Sequence, residues 1–224
     1  MSGLPPMPPL PVASRLIRRL RREWAMRRLA DPAYRFLFDA PPPGEWVSLD
    51  CETTGLNVRS DEIISIGAVR IVGRRILTSE RLELLVRPER GVSPESIRIH
   101  RLRERDVAEG LPIAEAVRRL LHFIGPRPLV GYYLEFDVAM LNKAVRPLLG
   151  QGLPQEKIEV SALYYDHKFR QLPAYQQHDN ADIDLSFARL MADLGLPLRD
   201  AHDALNDAVM AALAFIKLRE LGAA

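Results

Sequence analysis

The stretch Trp46-Val47-Ser48-Leu49-Asp50-Cys51-Glu52-Thr53-Thr54-Gly55-Leu56 carries most of the information about fold and chemistry in this chain. Its first half is an apolar run typical of a buried strand. Because side chains alternate across a strand, Asp50 and Glu52 point to one side and Cys51 points to the other. Two neighbouring acids repel each other unless a cation lies between them, and a divalent ion such as Mg²⁺ prefers oxygen ligands. Alone, the pair is weak evidence for a metal site, since most such pairs are solvated.

A second acid follows another short apolar run. Residues 128–130 are apolar, Gly131 indicates a turn, and an amphipathic segment runs from about 136 to 149. This order predicts strand, turn and helix, with Asp137 in the first helical turn. The helix dipole favours a carboxylate there even without a metal, so Asp137 by itself is typical of an ordinary helix start.

A third acidic element opens the last helical stretch. In His202-Asp203-Ala204-Leu205-Asn206-Asp207, Asp203 is placed to act as the N-cap of a helix that runs to about Leu221. Asp207 then lies one turn inside, beside an apolar stripe, where a bare carboxylate is costly unless something neutralises it. His202 precedes the helix, in a position from which a loop could carry it over the acids.

Together these elements resemble the DEDDh family of 3′–5′ exonucleases, the group that includes the proofreading epsilon subunit of bacterial DNA polymerase III. The family motifs D-x-E-T-x-G, F-D and H-x-x-x-x-D are matched in order by Asp50, Glu52, Thr53 and Gly55, by Phe136 and Asp137, and by His202 and Asp207. One place departs from the family, because many relatives carry His-Asn where this chain has Tyr132-Tyr133.

The resemblance implies a fold, a cofactor and a division of roles. The fold would be α/β, a ribonuclease H-like mixed β-sheet flanked by helices. Four carboxylates would bind two divalent ions, Mg²⁺ or Mn²⁺, with Asp50 bridging them and Glu52, Asp137 and Asp207 as the other ligands. His202 would be the general base that takes a proton from the attacking water, and an ordinary histidine pKa of about 6.5 suits that task.

Substrate contacts are expected around the first motif and the Tyr pair. The resemblance implies that the turn of Thr53, Thr54, Gly55 and Leu56 holds the 3′-terminal nucleotide, with Leu56 against the last base. Core packing is the alternative for Leu56. Tyr132 and Tyr133 could donate a hydrogen bond, stack on a base, or only pack beside the helix.

The leading functional hypothesis is a metal-dependent 3′–5′ exonuclease that acts on single-stranded DNA ends and releases nucleoside 5′-monophosphates. A member of the same family that trims RNA is the nearest alternative, because the acids alone do not distinguish a 2′-hydroxyl. A catalytically inactive nucleic-acid-binding module is the alternative from another class. Work as a polymerase subunit and work as a stand-alone repair enzyme both remain open.

Element patterns agree with the implied fold class. Apolar strands are predicted at Trp46–Asp50, Ile63–Val72, Ile76–Val86 and Leu129–Tyr132, and helices at Ile113–Ile124, Phe136–Leu149, Ile183–Leu194 and Ala204–Leu221. The first three strands follow one another without a helix between them, which predicts an antiparallel meander. The fourth strand should join through a helical crossover and make the sheet mixed.

Residues 1–43 are predicted to be a Pro/Arg-rich extension and linker, and residues 44–224 the exonuclease domain. Through residue 40 the chain has eight Arg and three acidic residues, so its basic charge is concentrated there, in a short predicted helix. This arm could bind nucleic acid, an anionic membrane surface or a partner protein, or its apolar face could pack back onto the domain.

Composition places limits on location. The single cysteine, Cys51, excludes an intramolecular disulfide and suits a reducing compartment. No apolar run reaches the roughly 20 residues that cross a bilayer, so no stable membrane insertion is expected. The Arg-rich N-terminal stretch is not followed by the apolar segment of a signal peptide, and we therefore expect a cytoplasmic protein.

Overall fold

A mixed five-stranded sheet forms the centre of the fold. The computed structural model describes residues 22–90, 104–178, 182–198 and 203–222. The strands are β1 (Glu45–Thr53), β2 (Ile63–Val72), β3 (Arg75–Leu85), β4 (Leu129–Gly131) and β5 (Lys157–Glu159), in the spatial order β3-β2-β1-β4-β5. The first three are antiparallel, whereas β4 pairs in parallel with β1 and β5 in parallel with β4. The predicted meander and crossover are thus confirmed.

Helices cover both faces of this sheet. The described helices are α1 (Glu104–Val107), α2 (Ile113–Ile124), α3 (Leu134–Leu149), α4 (Val160–Gln171), α5 (Phe187–Asp193) and α6 (Ala204–Glu220), with 3₁₀ turns at Pro32–Phe38 and Ala174–Gln176. Helices α2 and α3 share one core with one face of β1, and α6 packs on the opposite face against β1 and β2. No helix within the described ranges is long and apolar enough to cross a membrane.

Strand β1 lies between these two cores, and its alternation sets the direction of its acids. Val47, Leu49 and Cys51 belong to the core under α2 and α3. Trp46 belongs to the core under α6, where its ring meets Phe215 edge-on at 5.4 Å between centroids. Asp50 and Glu52 have the same parity as Trp46, so the strand directs them toward the side of α6.

Most predicted elements appear with small changes in their bounds. Strand β1 extends to Thr53 and so includes both acids, and α3 begins at Leu134 rather than Phe136. The helix predicted from Ile183 was wrong at its start, because the helix begins only at Phe187. Before it, the Asp184 carboxylate accepts a hydrogen bond from the Ser186 N–H at 2.9 Å, a local turn that competes with helix.

Three described helices or strands were not predicted, namely β5, α4 and the four-residue α1. Strand β5 has three residues, and a segment that short gives no periodic signal. Helix α4 has the sequence VSALYYDHKFRQ, whose apolar residues are concentrated in its first half and are followed by charged residues. Its buried residues lie in the first turn and a half, namely Val160, Ser161 and Tyr164.

The described part of the N-terminal extension packs against the domain. Tyr34, Leu37 and Phe38 are buried in the same core as Val47, and the ring of Phe36 stacks on His122 at 5.0 Å. Ala25, Met26 and Leu29 also pack against this core. The division of the chain at residues 43 and 44 stays a prediction, but a truncation that spares these core side chains has to end at about residue 21.

Candidate active site

Three carboxylates meet where β1 ends and α6 begins. Asp50, Glu52 and Asp207 each offer an oxygen, and these oxygens lie within 4.8 Å of one another. Asp207 comes from the first turn of α6. As predicted, Asp203 caps this helix, with its Oδ1 accepting a hydrogen bond from the Asn206 N–H at 2.8 Å. Residues more than 150 positions apart in the sequence therefore form one acidic cluster.

Helix α6 reaches the sheet because β2 carries Gly67 opposite Asp50. A Cβ atom at position 67 would lie 2.2 Å from both the Ala204 carbonyl carbon and the Leu205 nitrogen. Any larger residue would therefore push the start of α6, and Asp207 with it, away from β1. The sequence reasoning missed this role, although an isolated Gly inside a strand pattern signals such a close approach.

Asp137 joins the cluster from the other layer. It lies in the first turn of α3 and is buried, and its carboxylate accepts a hydrogen bond from the backbone N–H of Cys51. Its charge raises the pKa of Asp50, which shows that the two carboxylates interact. Asp137 is not part of the group of oxygens within 4.8 Å, but it is near enough for its charge to act on Asp50.

Burial and mutual repulsion shift the protonation of these acids. Desolvation is the largest cause that raises the pKa of Asp50 well above its ordinary value, followed by the charges of Asp137 and Asp207. Desolvation, then Asp207 and Asp203, raises the pKa of Glu52 to about 7. Burial also raises the pKa of Asp137, against the opposing hydrogen bond from Cys51.

This donor set fits a divalent metal. Within the described part of the chain, Asp50, Glu52 and Asp137 form no ion pair with Lys, Arg or His. Mg²⁺ and Mn²⁺ prefer oxygen ligands, and a set of carboxylates supplies them. A bound cation would remove the repulsion that raises these pKa values, so the residues present are suited to the cofactor that the motifs imply.

The turn after β1 is held by its own threonines. The Thr53 hydroxyl donates to the Gly55 carbonyl at 2.7 Å, while Thr54 pairs with the backbone of Glu62 through its N–H and its hydroxyl oxygen. Leu56 is 85% exposed, so the alternative that it is a core residue was wrong. An exposed leucine four residues after Glu52 is available for contact with a ligand.

The two tyrosines differ in their surroundings. Tyr132 donates a hydrogen bond to the Leu185 carbonyl at 2.8 Å, and its ring lies 4.6 Å from that of Phe187. Packing therefore accounts for Tyr132. Tyr133 is 61% exposed and has a left-handed backbone, with φ 54° and ψ 33°. Tyr132 is partly buried, and Tyr133 is the more exposed of the two residues.

The predicted general base is not among the described residues, and one acid near the site was not predicted. His202 lies outside the described residues, and its role as general base stays a prediction. Glu159, at the end of β5, was missed by the sequence reasoning, because nothing indicated a strand there. Its carboxylate accepts hydrogen bonds from the N–H groups of Tyr133 and Leu134, in the first turn of the helix that carries Asp137.

Comparison with known proteins gives a consistent result. The family model RNase_T, described as Exonuclease, matches residues 47–215. The chain is 31% identical over 174 residues to a DNA polymerase III subunit epsilon-like protein of Rhodobacter capsulatus, covering 77% of this chain and 23% of that protein. It is 29% identical over 193 residues to the DNA polymerase III PolC-type of Thermotoga maritima, covering 85% of this chain and 13% of the polymerase.

These two relatives are thus much longer than the region that this chain matches. The DNA polymerase III subunit epsilon of Aquifex aeolicus is closer in length, with 28% identity over 178 residues that cover 79% of this chain and 81% of the subunit. Among solved structures, Exonuclease X in complex with 5′ overhanging duplex DNA is 25% identical, with a TM-score of 0.58 over 79% of this chain and 92% of that chain. E. coli Exonuclease I in complex with a dA16 oligonucleotide is 15% identical and shares the fold, with a TM-score of 0.64 over 80% of this chain and 42% of that chain.

The raised carboxylate pKa values lead to a test by pH. Between the ordinary carboxylate pKa and about 7, the metal-free folded protein holds protons that the unfolded chain releases, so its stability falls as pH rises. We expect a lower melting temperature at pH 8 than at pH 5, with Glu52 contributing a loss on the order of 3 kcal/mol. Adding Mg²⁺ should raise the melting temperature more at pH 8 than at pH 5.

Differential scanning calorimetry with and without EDTA measures both effects. In Asp207→Asn, the loss of stability with rising pH and the response of the melting temperature to Mg²⁺ should both become smaller. Glu80→Gln removes a surface partner of Arg70 and is the matched control, which should behave as wild type. A melting temperature that rises steadily from pH 5 to pH 8 without metal would contradict the electrostatic account.

Proposed function

The chain belongs to the exonuclease family whose model it matches, as its motifs predicted, and from that premise we propose that it is a metal-dependent 3′–5′ exonuclease. The observation that carries the proposal is the meeting of the Asp50, Glu52 and Asp207 oxygens within 4.8 Å, with Asp137 coupled to them. In a family of phosphodiester hydrolases, this cluster is the feature that chemistry on a phosphate requires.

We propose single-stranded DNA with a free 3′ end as the substrate, cleaved to nucleoside 5′-monophosphates. Two relatives named as DNA polymerase III epsilon or epsilon-like proteins, and an exonuclease solved with overhanging DNA, support DNA. The exposed Leu56 supports a wedge against the terminal base, and the exposed Tyr133 ring supports stacking on a base. The turn of Thr53, Thr54 and Gly55 would hold the terminal nucleotide next to the acids.

In this proposal the protein orients the reacting groups and moves one proton. Asp50, Glu52, Asp137 and Asp207 would hold two Mg²⁺ or Mn²⁺ ions. When bound, such ions supply an activated water and relieve charge on the phosphoryl oxygens. His202 would accept the proton that the attacking water loses.

Two alternatives remain distinct from this proposal. RNA could be the substrate, since no described residue identifies a contact with a 2′-hydroxyl. An inactive nucleic-acid-binding module is the other, and the Tyr132-Tyr133 departure from the family is the feature in its favour. The complete set of acids argues for an enzyme. We also propose a role in replication or repair and a cytoplasmic location.

The experiment that tests the function is digestion of 5′-labelled and 3′-labelled single-stranded DNA and RNA of matched sequence, with Mg²⁺, Mn²⁺ or EDTA. We expect a ladder shortened from the 3′ end, faster on DNA and absent in EDTA. Asp50→Asn removes a charge from the centre of the cluster and should abolish the ladder while leaving the protein folded.

Each other outcome selects an alternative. Faster shortening of RNA favours the exoribonuclease, and binding without cleavage favours the inactive module. Asp50→Asn with wild-type activity would show that the site is assigned wrongly.

His202→Ala tests the proposed general base. We expect a loss of roughly 10²–10⁴-fold in kcat, the usual scale for removing such a group, with Mn²⁺ affinity in the wild-type range. Single-turnover digestion at saturating Mn²⁺, together with calorimetric Mn²⁺ titration, separates the two quantities. A loss of activity that saturating metal fully restores would exclude the proton-transfer role.

The basic N-terminal arm is proposed to contact nucleic acid or a partner protein, and a membrane surface is the weaker alternative. Protein lacking residues 1–21 keeps the core side chains of Pro32–Phe38 and is therefore the right truncation. If the arm contacts DNA, the dependence of binding affinity on salt should become less steep, because fewer phosphates are neutralised. If the salt dependence of affinity is unchanged in fluorescence-anisotropy titrations from 50 to 300 mM salt, the arm does not contact DNA, and a partner protein is the proposal that is kept.

A further inference from the structure

The Glu159 carboxylate connects the beginnings of two helices. Glu159 is the last residue of β5 and the N-cap of α4, where its Oε1 accepts from the Ser161 N–H at 3.1 Å and from the Ser161 hydroxyl at 2.8 Å. The same oxygen accepts from the Tyr133 N–H at 3.0 Å, and Oε2 accepts from the Leu134 N–H at 2.8 Å. One side chain therefore receives four donors from two elements.

The contact on α3 occurs at an unusual backbone position. Tyr133 caps α3 in the left-handed region with φ 54°, and its side chain makes no capping hydrogen bond. It is the one non-glycine residue of the described chain with a positive φ. The first N–H groups of a helix have no partner within the helix, and a carboxylate there also interacts favourably with the helix dipole. The Glu159 carboxylate supplies the hydrogen-bond acceptor for these N–H groups that the Tyr133 side chain does not supply.

The first turn of α3 carries two groups of the site described above. Tyr133 is the N-cap of α3 and Asp137 follows four residues later in its first turn, so both are attached to the same helix start. Asp137 meets the Cys51 N–H, and the Tyr133 ring is exposed. A shift of this turn would move the carboxylate and the ring together.

A direct role for Glu159 as a metal ligand is less consistent with the structure. Glu159 is the N-cap of α4 and lies against the beginning of α3, where N–H groups need acceptors. Both Glu159 oxygens are already engaged by N–H and O–H donors. The hydrogen bonds of the Glu159 carboxylate thus hold the backbone at the beginnings of α3 and α4.

We propose that Glu159 is a positioning residue of the active site. It holds Tyr133 in the left-handed conformation and thereby sets where Asp137 and the Tyr133 ring stand relative to β1. This inference rests on the proposed nuclease function for its kinetic consequences, but its structural part is independent of that function.

A double-mutant cycle tests the proposal. Glu159→Gln keeps the size of the side chain but turns an NH₂ group toward N–H donors. We expect it to lower both kcat/KM on single-stranded DNA and Mn²⁺ affinity by about 10–100-fold, the scale for residues that orient metal ligands. In the Tyr133→Asn background the further loss should be much smaller, because Asn tolerates the left-handed region and needs less support.

Controls separate this role from general stability. Asp31→Asn is the matched control, because Asp31 caps Pro32–Phe38 through the Ala33 N–H at 2.9 Å, and it should keep wild-type activity and Mn²⁺ affinity. If Glu159→Gln does not fold, Glu159→Asp replaces it in the cycle, since the shorter carboxylate loses reach to α3 while remaining a cap for α4.

The outcomes are distinct. Equal losses from Glu159→Gln in both backgrounds, or no loss in either, would overturn the positioning role. Wild-type protein that cleaves neither DNA nor RNA would refute the proposed function instead. The cycle measured on Mn²⁺ affinity would still decide whether Glu159 places Asp137.

Discussion

Repulsion among carboxylates at the end of β1 is the constraint on which the rest of this structure depends. Asp50, Glu52, Asp137 and Asp207 come from three elements, and burial and mutual charge raise the pKa values of the first three. The repulsion makes such a cluster unfavourable by itself, so other interactions have to hold it together. The apolar cores on the two faces of β1 supply that stabilisation.

Close approach of backbones then fixes how the acids meet. Gly67 lets the start of α6 touch β2, and Gly131 lets the end of β4 lie against β1, where a Cβ would stand 3.0 Å from the Leu49 carbonyl oxygen. Each glycine thus places a helix N-terminus beside the same strand end. The helix dipoles of α3 and α6 point their positive ends at the acids, which offsets part of the repulsion.

The sequence predicted the parts of the fold that rest on periodicity or on local chemistry. Strand β2 and helix α2 have the predicted bounds, and Asp203 caps α6 as predicted. Tertiary contacts decided the rest. Residues 183–186 follow a helical pattern, yet the Tyr132 hydroxyl binds the Leu185 carbonyl and the Asp184 turn competes, so the helix starts later. Leu56 is apolar but 85% exposed, because no described residue covers its side chain.

The Tyr132-Tyr133 pair shows why residue identity and backbone geometry have to be judged separately. The family resemblance departs at Tyr133, since many relatives carry Asn there. The structure adds that position 133 is left-handed, a conformation that costs most residues about 1–2 kcal/mol and that Asn tolerates better. This chain keeps the conformation with a tyrosine and meets the exposed N–H groups with Glu159. The helix start that carries Asp137 is thus held in place with a tyrosine at position 133, which weakens the argument that the tyrosines mark an inactive site.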